Sequence, residues 1–83
     1  MIMNFCDALR FIINSRAGTK VARKAWINKS NPEEQRYICK SYNDGKYFIH
    51  FHFKVISSNY EKHQLFTPSQ EDMVSDDWYI VEN

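Results

Sequence analysis

Glycine is almost missing from this chain of 83 residues: Gly18 and Gly45 are the only two. That excludes a glycine-rich phosphate loop, in which several glycines in one short run let the backbone close on a phosphate. An excess of one charge sign is missing too. Eleven Lys and Arg residues meet ten Asp and Glu, for a net charge of +1. A long nucleic acid is therefore not an expected partner, because its binders carry a clear positive excess. A small anionic ligand held by two or three cations stays compatible with this balance. No apolar run approaches the ~18 residues of a membrane span. Met1 to Cys6 has no basic start, and Asp7 and Arg10 interrupt the apolar residues that follow, so no secretory leader is expected. Cys6 and Cys39 are the only cysteines. The expectation is a reducing compartment with both thiols free.

Repeats, low-complexity tracts and linkers are absent, so residues 1–83 read as a single domain. A chain this short buries only about 60–65% of its unfolded surface. Its core is marginal, and oligomerisation is one way to add to it. What the sequence has in quantity is aromatic rings: six Phe, five Tyr and two Trp, or 16% of residues. That exceeds what a small core needs, and the surplus belongs at an interface or a ligand site.

The pattern along the chain predicts an α+β fold. Asn4 suits a helix cap and Asp7 the positive end of the first turn. Phe5, Leu9, Ile12 and Ile13 follow helical spacing, which gives a helix near residues 4–15, with Gly18 as a stop. Lys20 to Trp26, KVARKAW, reads as a strand with Val21, Arg23 and Ala25 on one face and Ala22, Lys24 and Trp26 on the other. Asn28 to Glu34 is a polar loop with a proline, and Gln35 to Ser41 a second strand. Asn43-Asp44-Gly45 signals a tight hairpin turn. Lys46 to Ile56 alternates, with Tyr47, Ile49, Phe51, Phe53 and Val55 on an apolar face and Phe48, His50, His52, Lys54 and Ile56 on a mixed one. Ser57 to Gln64 reads as a polar loop. Thr67, Pro68 and Gln70 resemble a capping box with a proline at the first helical position, and Asp76 and Asp77 end that short helix. Trp78 to Val81 is a last strand. The whole is a small antiparallel sheet of about four strands, an N-terminal helix and a short helix before the C-terminal strand.

Two blocks are distinctive together: KVARKAW, Lys20 to Trp26, and FTPSQEDMVSDDW, Phe66 to Trp78. In this order, and at this chain length, they resemble a family of small phage and prophage domains that includes the second type of Thoeris anti-defence protein. The resemblance spans nearly the whole chain. It implies a phage sponge in the cytoplasm of the infected bacterial host. Such a sponge binds a cyclic nucleotide immune signal, of the glycocyclic ADP-ribose type or a cyclic oligonucleotide, and does not cleave it. It also implies a homotetramer built from dimers with pockets between protomers. By the same resemblance Trp26 stacks on adenine, and Phe66 fills an aromatic position often held by tryptophan, keeping a stacking face but losing an indole N–H.

A ligand of that kind needs stacking rings, a cation or a row of N–H groups, and polar acceptors. Trp26 and Phe66 are the strongest stackers, and Tyr37 or Tyr47 can add to them. Each also has a plain reading as core or interface. Arg23 suits phosphate oxygens, or is a solvated strand charge. Thr67, with the free N–H groups of the second helix, forms a candidate anion site or simply a cap. Asp76 and Asp77 suit ribose hydroxyls, or end a helix in solvent; Trp78 reads as core. His50 and His52 share a strand face, but no further ligand sits at metal spacing, so no metal and no cofactor are expected. Their mixed face reads better as packing against another protomer. Cys39 with a histidine imitates a nucleophile and base, but no nucleophile elbow accompanies it, and the chain is not expected to be an enzyme. The alternative function is a protein-interaction module that inhibits a host factor directly.

Overall fold

A computed structural model describes residues 2–82. The expected α+β class holds, but the antiparallel sheet has six strands. The elements are β1 (Ile2–Met3), α1 (Phe5–Asn14), β2 (Lys20–Arg23), a 3-10 turn (Lys24–Trp26), β3 (Glu34–Asn43), β4 (Lys46–Val55), β5 (Tyr60–Leu65), α2 (Gln70–Val74) and β6 (Trp78–Val81). The strand order is β1-β6-β2-β3-β4-β5.

The two extra strands have separate causes. β1 is only two residues long, paired to β6 through Ile2–Tyr79 and Met3–Trp78, too short to carry an alternation. β5 lies where a polar loop is expected. Its residues YEKHQL are all exposed, as befits an edge strand that discourages further pairing with charge. Pairing of Val55 with Tyr60 and His52 with His63 fixes its register. The turn before it places Asn59 at φ 55, a left-handed conformation that asparagine tolerates.

The β3–β4 hairpin follows the Asp44-Gly45 signal: Asp44 has φ 53 and Gly45 φ 80, the pair of positive angles a two-residue turn requires. Asn4 caps α1 by accepting the Asp7 amide at 2.8 Å. The last part of KVARKAW is not strand. β2 stops at Arg23, and Lys24–Trp26 tightens into the 3-10 turn, because Asp77 pulls the chain round. Lys24 donates its amide to the Asp77 carbonyl at 3.1 Å, and Ala25 donates its amide to Asp77 Oδ2 at 3.1 Å.

The cap of α2 also differs. Ser69, not Thr67, is the cap residue, and the capping box closes on Asp72 rather than on a glutamine. Ser69 Oγ accepts the Asp72 amide and Asp72 Oδ2 accepts the Ser69 amide, both at 3.0 Å. The helix ends at Val74, with Ser75 as its C-cap, before the acidic pair is reached.

One face of the sheet packs against α1. Its core is Met3, Ala8, Ile12, Val21, Ile38 and Trp78, flanked by Phe5, Phe11, Trp26, Ile49, Phe51, Phe66 and Ile80. The opposite face carries a smaller cluster of Ala22, Tyr37 and Cys39 with Trp26, Tyr79 and Val81 around it. Trp26 belongs to both because the 3-10 turn carries it off the line of β2.

Candidate functional site

The acidic end of the chain is built around one arginine. Arg23 on β2 is buried, 6% exposed. Its Nε donates to Asp77 Oδ1 at 2.9 Å and its Nη1 to Asp72 Oδ1 at 3.0 Å. Nη2 lies 3.5 Å from Asp77 Oδ2 and 3.6 Å from Glu71 Oε1. A guanidinium presents its donors in a fixed plane, and here each side of that plane meets a carboxylate. Arg23 is thus neither a solvated strand charge nor a free phosphate fork. The charge arithmetic points the same way, since one cation among three carboxylates does not attract an anion. Asp77 sits well below the usual carboxylate range, chiefly through its hydrogen bond from Arg23. The Arg23 pKa is raised, first by Asp77 and then by Asp72 against the desolvation of burial.

This cluster positions a ring wall. Asp72 caps α2 with one oxygen and holds Arg23 with the other, while its carbonyl accepts the Trp78 indole N–H at 3.1 Å. Trp78 is fully buried, as expected of a core residue. Trp26 meets it edge-on at 5.1 Å, Phe51 at 5.2 Å and Phe66 at 6.4 Å. Such edge-to-face pairs are each worth ~0.5–1.5 kcal/mol beyond burial. Trp26 and Phe66 are therefore packed rings whose remaining exposure opens onto clefts.

Three clefts flank Trp26. One of them, about 340 Å³ and lined by Ala25, Trp26, Ile27, Asn28 and Arg36, holds no other ring, and the other two bring further candidates together. The first of those two, about 190 Å³, is lined by Trp26, Phe51, Gln64, Phe66, Thr67 and Asp72. It joins three of the sequence candidates. Thr67 is present as a wall, not as a cap. The N-terminus of α2 does not offer an anion site, because Glu71 and Asp72 lie in its first turn and Asp72 already takes the Ser69 amide. The second cleft, about 280 Å³, lies between the 27–33 loop and the far sheet face, with Trp26, Lys29, Arg36, Tyr37 and Tyr79 in its lining. Tyr37 is buried there, and burial, followed by the nearby Glu61, raises its phenol pKa. Arg36 donates to Glu34 Oε2 at 3.1 Å and lies 4.6 Å above the Phe53 ring.

Trp26, Phe66 and Thr67 thus come together, and Trp26 and Tyr37 share the other side. Arg23 and Asp77 are each other's partners and are in the lining of none of these clefts. The cations at a cleft are Lys29 and Arg36, which sequence reasoning missed. The only signal for them was their place in and just after the polar loop that follows Trp26. Among the described residues, no group of three or more His, Cys, Asp or Glu side chains is arranged to hold a metal ion. Nor is any helix long and apolar enough to cross a membrane.

The fold is a small α+β domain whose clefts present aromatic edges and hydrogen-bonding groups. Residues 3–81 match the Thoeris anti-defense 2-like (Tad2-like) domain, and the chain belongs to that family, as its two distinctive blocks imply. None of the curated proteins matches it.

Proposed function

We propose that this protein is a sponge. It binds a cyclic nucleotide immune signal, of the glycocyclic ADP-ribose type or a cyclic oligonucleotide, inside the infected bacterial cell and lowers the free concentration without cleaving the ligand. Membership of an anti-defence domain family supports the setting. The observation that carries the reading is the position of Trp26, which lines three clefts. A base stacked on an aromatic ring gains about 1–3 kcal/mol whatever its identity. Trp26, Phe66 and Tyr37 supply such rings, with Gln64 and Thr67 as hydrogen-bonding partners. Phosphates are best placed near Lys29 and Arg36, away from the acidic cluster that holds Arg23.

The cleft sizes bear on assembly. Ligand pockets usually enclose ~300–1,000 Å³; the two clefts that hold the candidate rings, at about 190 and 280 Å³, fall below that range, and the third beside Trp26, about 340 Å³, lies at its lower edge. A homo-oligomer, built as a tetramer from dimers, completes them with side chains of a neighbouring protomer in this proposal. Exposed apolar residues at one end, Ile13, Tyr42, Tyr47 and Phe48, suit such contacts. They also support the competing reading, a module that blocks a host protein directly. A thermal-shift panel of cyclic nucleotides separates the two. A sponge melts higher with its ligand, whereas a host-protein blocker is unmoved by every nucleotide.

A further inference from the structure

The sheet face turned away from α1 carries a second chemical grouping that the sponge reading does not use. Three strands contribute to it. Cys39 on β3 lies with its Sγ 3.2 Å from Nε2 of His52 on β4. Nδ1 of the same ring is 3.3 Å from Glu61 Oε1 on β5. The ring is held from both sides. It stacks on Tyr37 at 5.0 Å with an interplanar angle of 5° and on His63 at 5.4 Å with 26°, following the cross-strand row Tyr37–His52–His63.

These contacts determine the proton positions. An ionised carboxylate only accepts hydrogen bonds, so Nδ1 carries the hydrogen toward Glu61. That leaves the Nε2 lone pair for the Cys39 thiol proton. Burial acts in the same direction on both groups, raising the thiol pKa and lowering that of the imidazole. At neutral pH the resting pair is therefore an uncharged thiol beside an uncharged, correctly oriented base. By strand register the same sheet face carries Lys20 on β2, Tyr37 on β3, His50 and Lys54 on β4, and Glu61 and His63 on β5. Glu61 is the one acidic side chain among them.

We propose that Cys39, His52 and Glu61 form a modification site at which Cys39 is oxidised by hydrogen peroxide. The thiol sulfur attacks the near peroxide oxygen and the O–O bond breaks. His52 takes the thiol proton and passes it to the departing hydroxide, giving sulfenic acid and water. The sulfur is oxidised by two electrons and the peroxide reduced by two. The electrophile class follows from the backbone. Acyl transfer needs free N–H donors for an oxyanion, but Cys39 lies within the β2–β3–β4 ladder, whose amides are engaged in strand pairing. Displacement at a peroxide oxygen needs no such hole. Cys39 is only 7% exposed, which admits a peroxide and disfavours a bulky disulfide.

Cys6 is the internal control, an exposed thiol on α1. The folded full-length protein is treated with hydrogen peroxide from pH 6 to 8.5, the peroxide is removed with catalase, the chain is unfolded in urea containing dimedone, and each cysteine is read by peptide mass spectrometry. Cys6 supplies the reference pH profile of an exposed thiol in the same protein. Cys39 labelling is much flatter over this range, because His52 and not solvent takes the thiol proton. His52→Gln slows Cys39 at least tenfold and leaves Cys6 unchanged. Glu61→Gln, at an exposed edge position, slows Cys39 several-fold with the fold intact by circular dichroism. The proposal is overturned if peroxide treatment of the folded protein leaves no sulfenic acid at Cys39, if its pH slope equals that of Cys6, or if Glu61→Gln leaves its rate unchanged.

Discussion

Replacing Arg23 with methionine, a side chain of similar length and no charge, tests what this arginine is for. The change leaves Asp72 and Asp77 facing each other across the site of the lost cation. Breaking a buried ion pair from one side costs about 3–5 kcal/mol. The lower end applies, since the Asp77 side chain is 28% exposed and water reaches it, while Asp72 keeps the Ser69 amide. At roughly 4–8 °C per kcal/mol for a domain of this size, a loss of about 3 kcal/mol lowers Tm by roughly 12–24 °C. Differential scanning calorimetry of Arg23→Met against the parent reads this directly. Arg23→Lys retains the charge but only one of the two directions of contact, and melts between them. A Tm within about 3 °C of the parent (under ~1 kcal/mol) refutes the positioning role. So does a stable Arg23→Met protein that has lost nucleotide binding alone, because Arg23 is then a ligand group.

Four further outcomes follow from the geometry. Phe66→Leu keeps an apolar wall but loses the ring face, so ligand affinity falls about tenfold, or ~1.4 kcal/mol, while Tm moves little. Trp26→Ala loses at least as much affinity by calorimetric titration, and also melts lower because its ring packs on Phe51, Phe66 and Trp78. Gly45→Ala costs about 1–2 kcal/mol in thermal or urea unfolding, entirely through its φ of 80, since nothing lies within 4 Å of the added Cβ. Acidification weakens the fold in two stages. His52 has a lowered folded pKa, so the unfolded chain takes up the proton first and stability falls as pH drops below about 6.5. Asp77, also lowered, contributes fully above the ordinary carboxylate range and loses that contribution as pH falls below about 4. Urea midpoints measured from pH 8 to 3 report both stages.

The parts of the fold that could be read from sequence rest on local signals. Asn4 with Asp7, the Asp44-Gly45 turn and the alternation from Lys46 to Val55 each sit within a few residues of what they specify. The parts that could not be read depend on partners far along the chain. Lys24–Trp26 leaves the strand because Asp77 holds its amides from more than fifty positions away. β5 has no apolar face because it is an edge, so its alternation of Glu61, His63 and Leu65 against Lys62 and Gln64 carries little contrast. At the end of the chain two overlapping cap patterns compete, Thr67 with Gln70 and Ser69 with Asp72. The second prevails because Asp72 also holds Arg23. The same holds for the site. Trp26, Phe66 and Thr67 share one cleft as their chemistry suggests. Arg23 has the chemistry of a phosphate ligand but the surroundings of a structural ion pair, and only the fold reveals those surroundings.

The central claim is sequestration without chemistry. The most direct measurement mixes the protein with glycocyclic ADP-ribose, and separately with cyclic oligonucleotides. Free ligand is determined after ultrafiltration, and the retained fraction is then heated to denature the protein. The account predicts that one of these signals is depleted from the filtrate at sub-micromolar concentration, with roughly −8 kcal/mol or more of binding free energy. It predicts that heating returns that ligand intact and in full. A hydrolysed product after heating, or filtrates that keep every signal at its starting concentration, contradicts it.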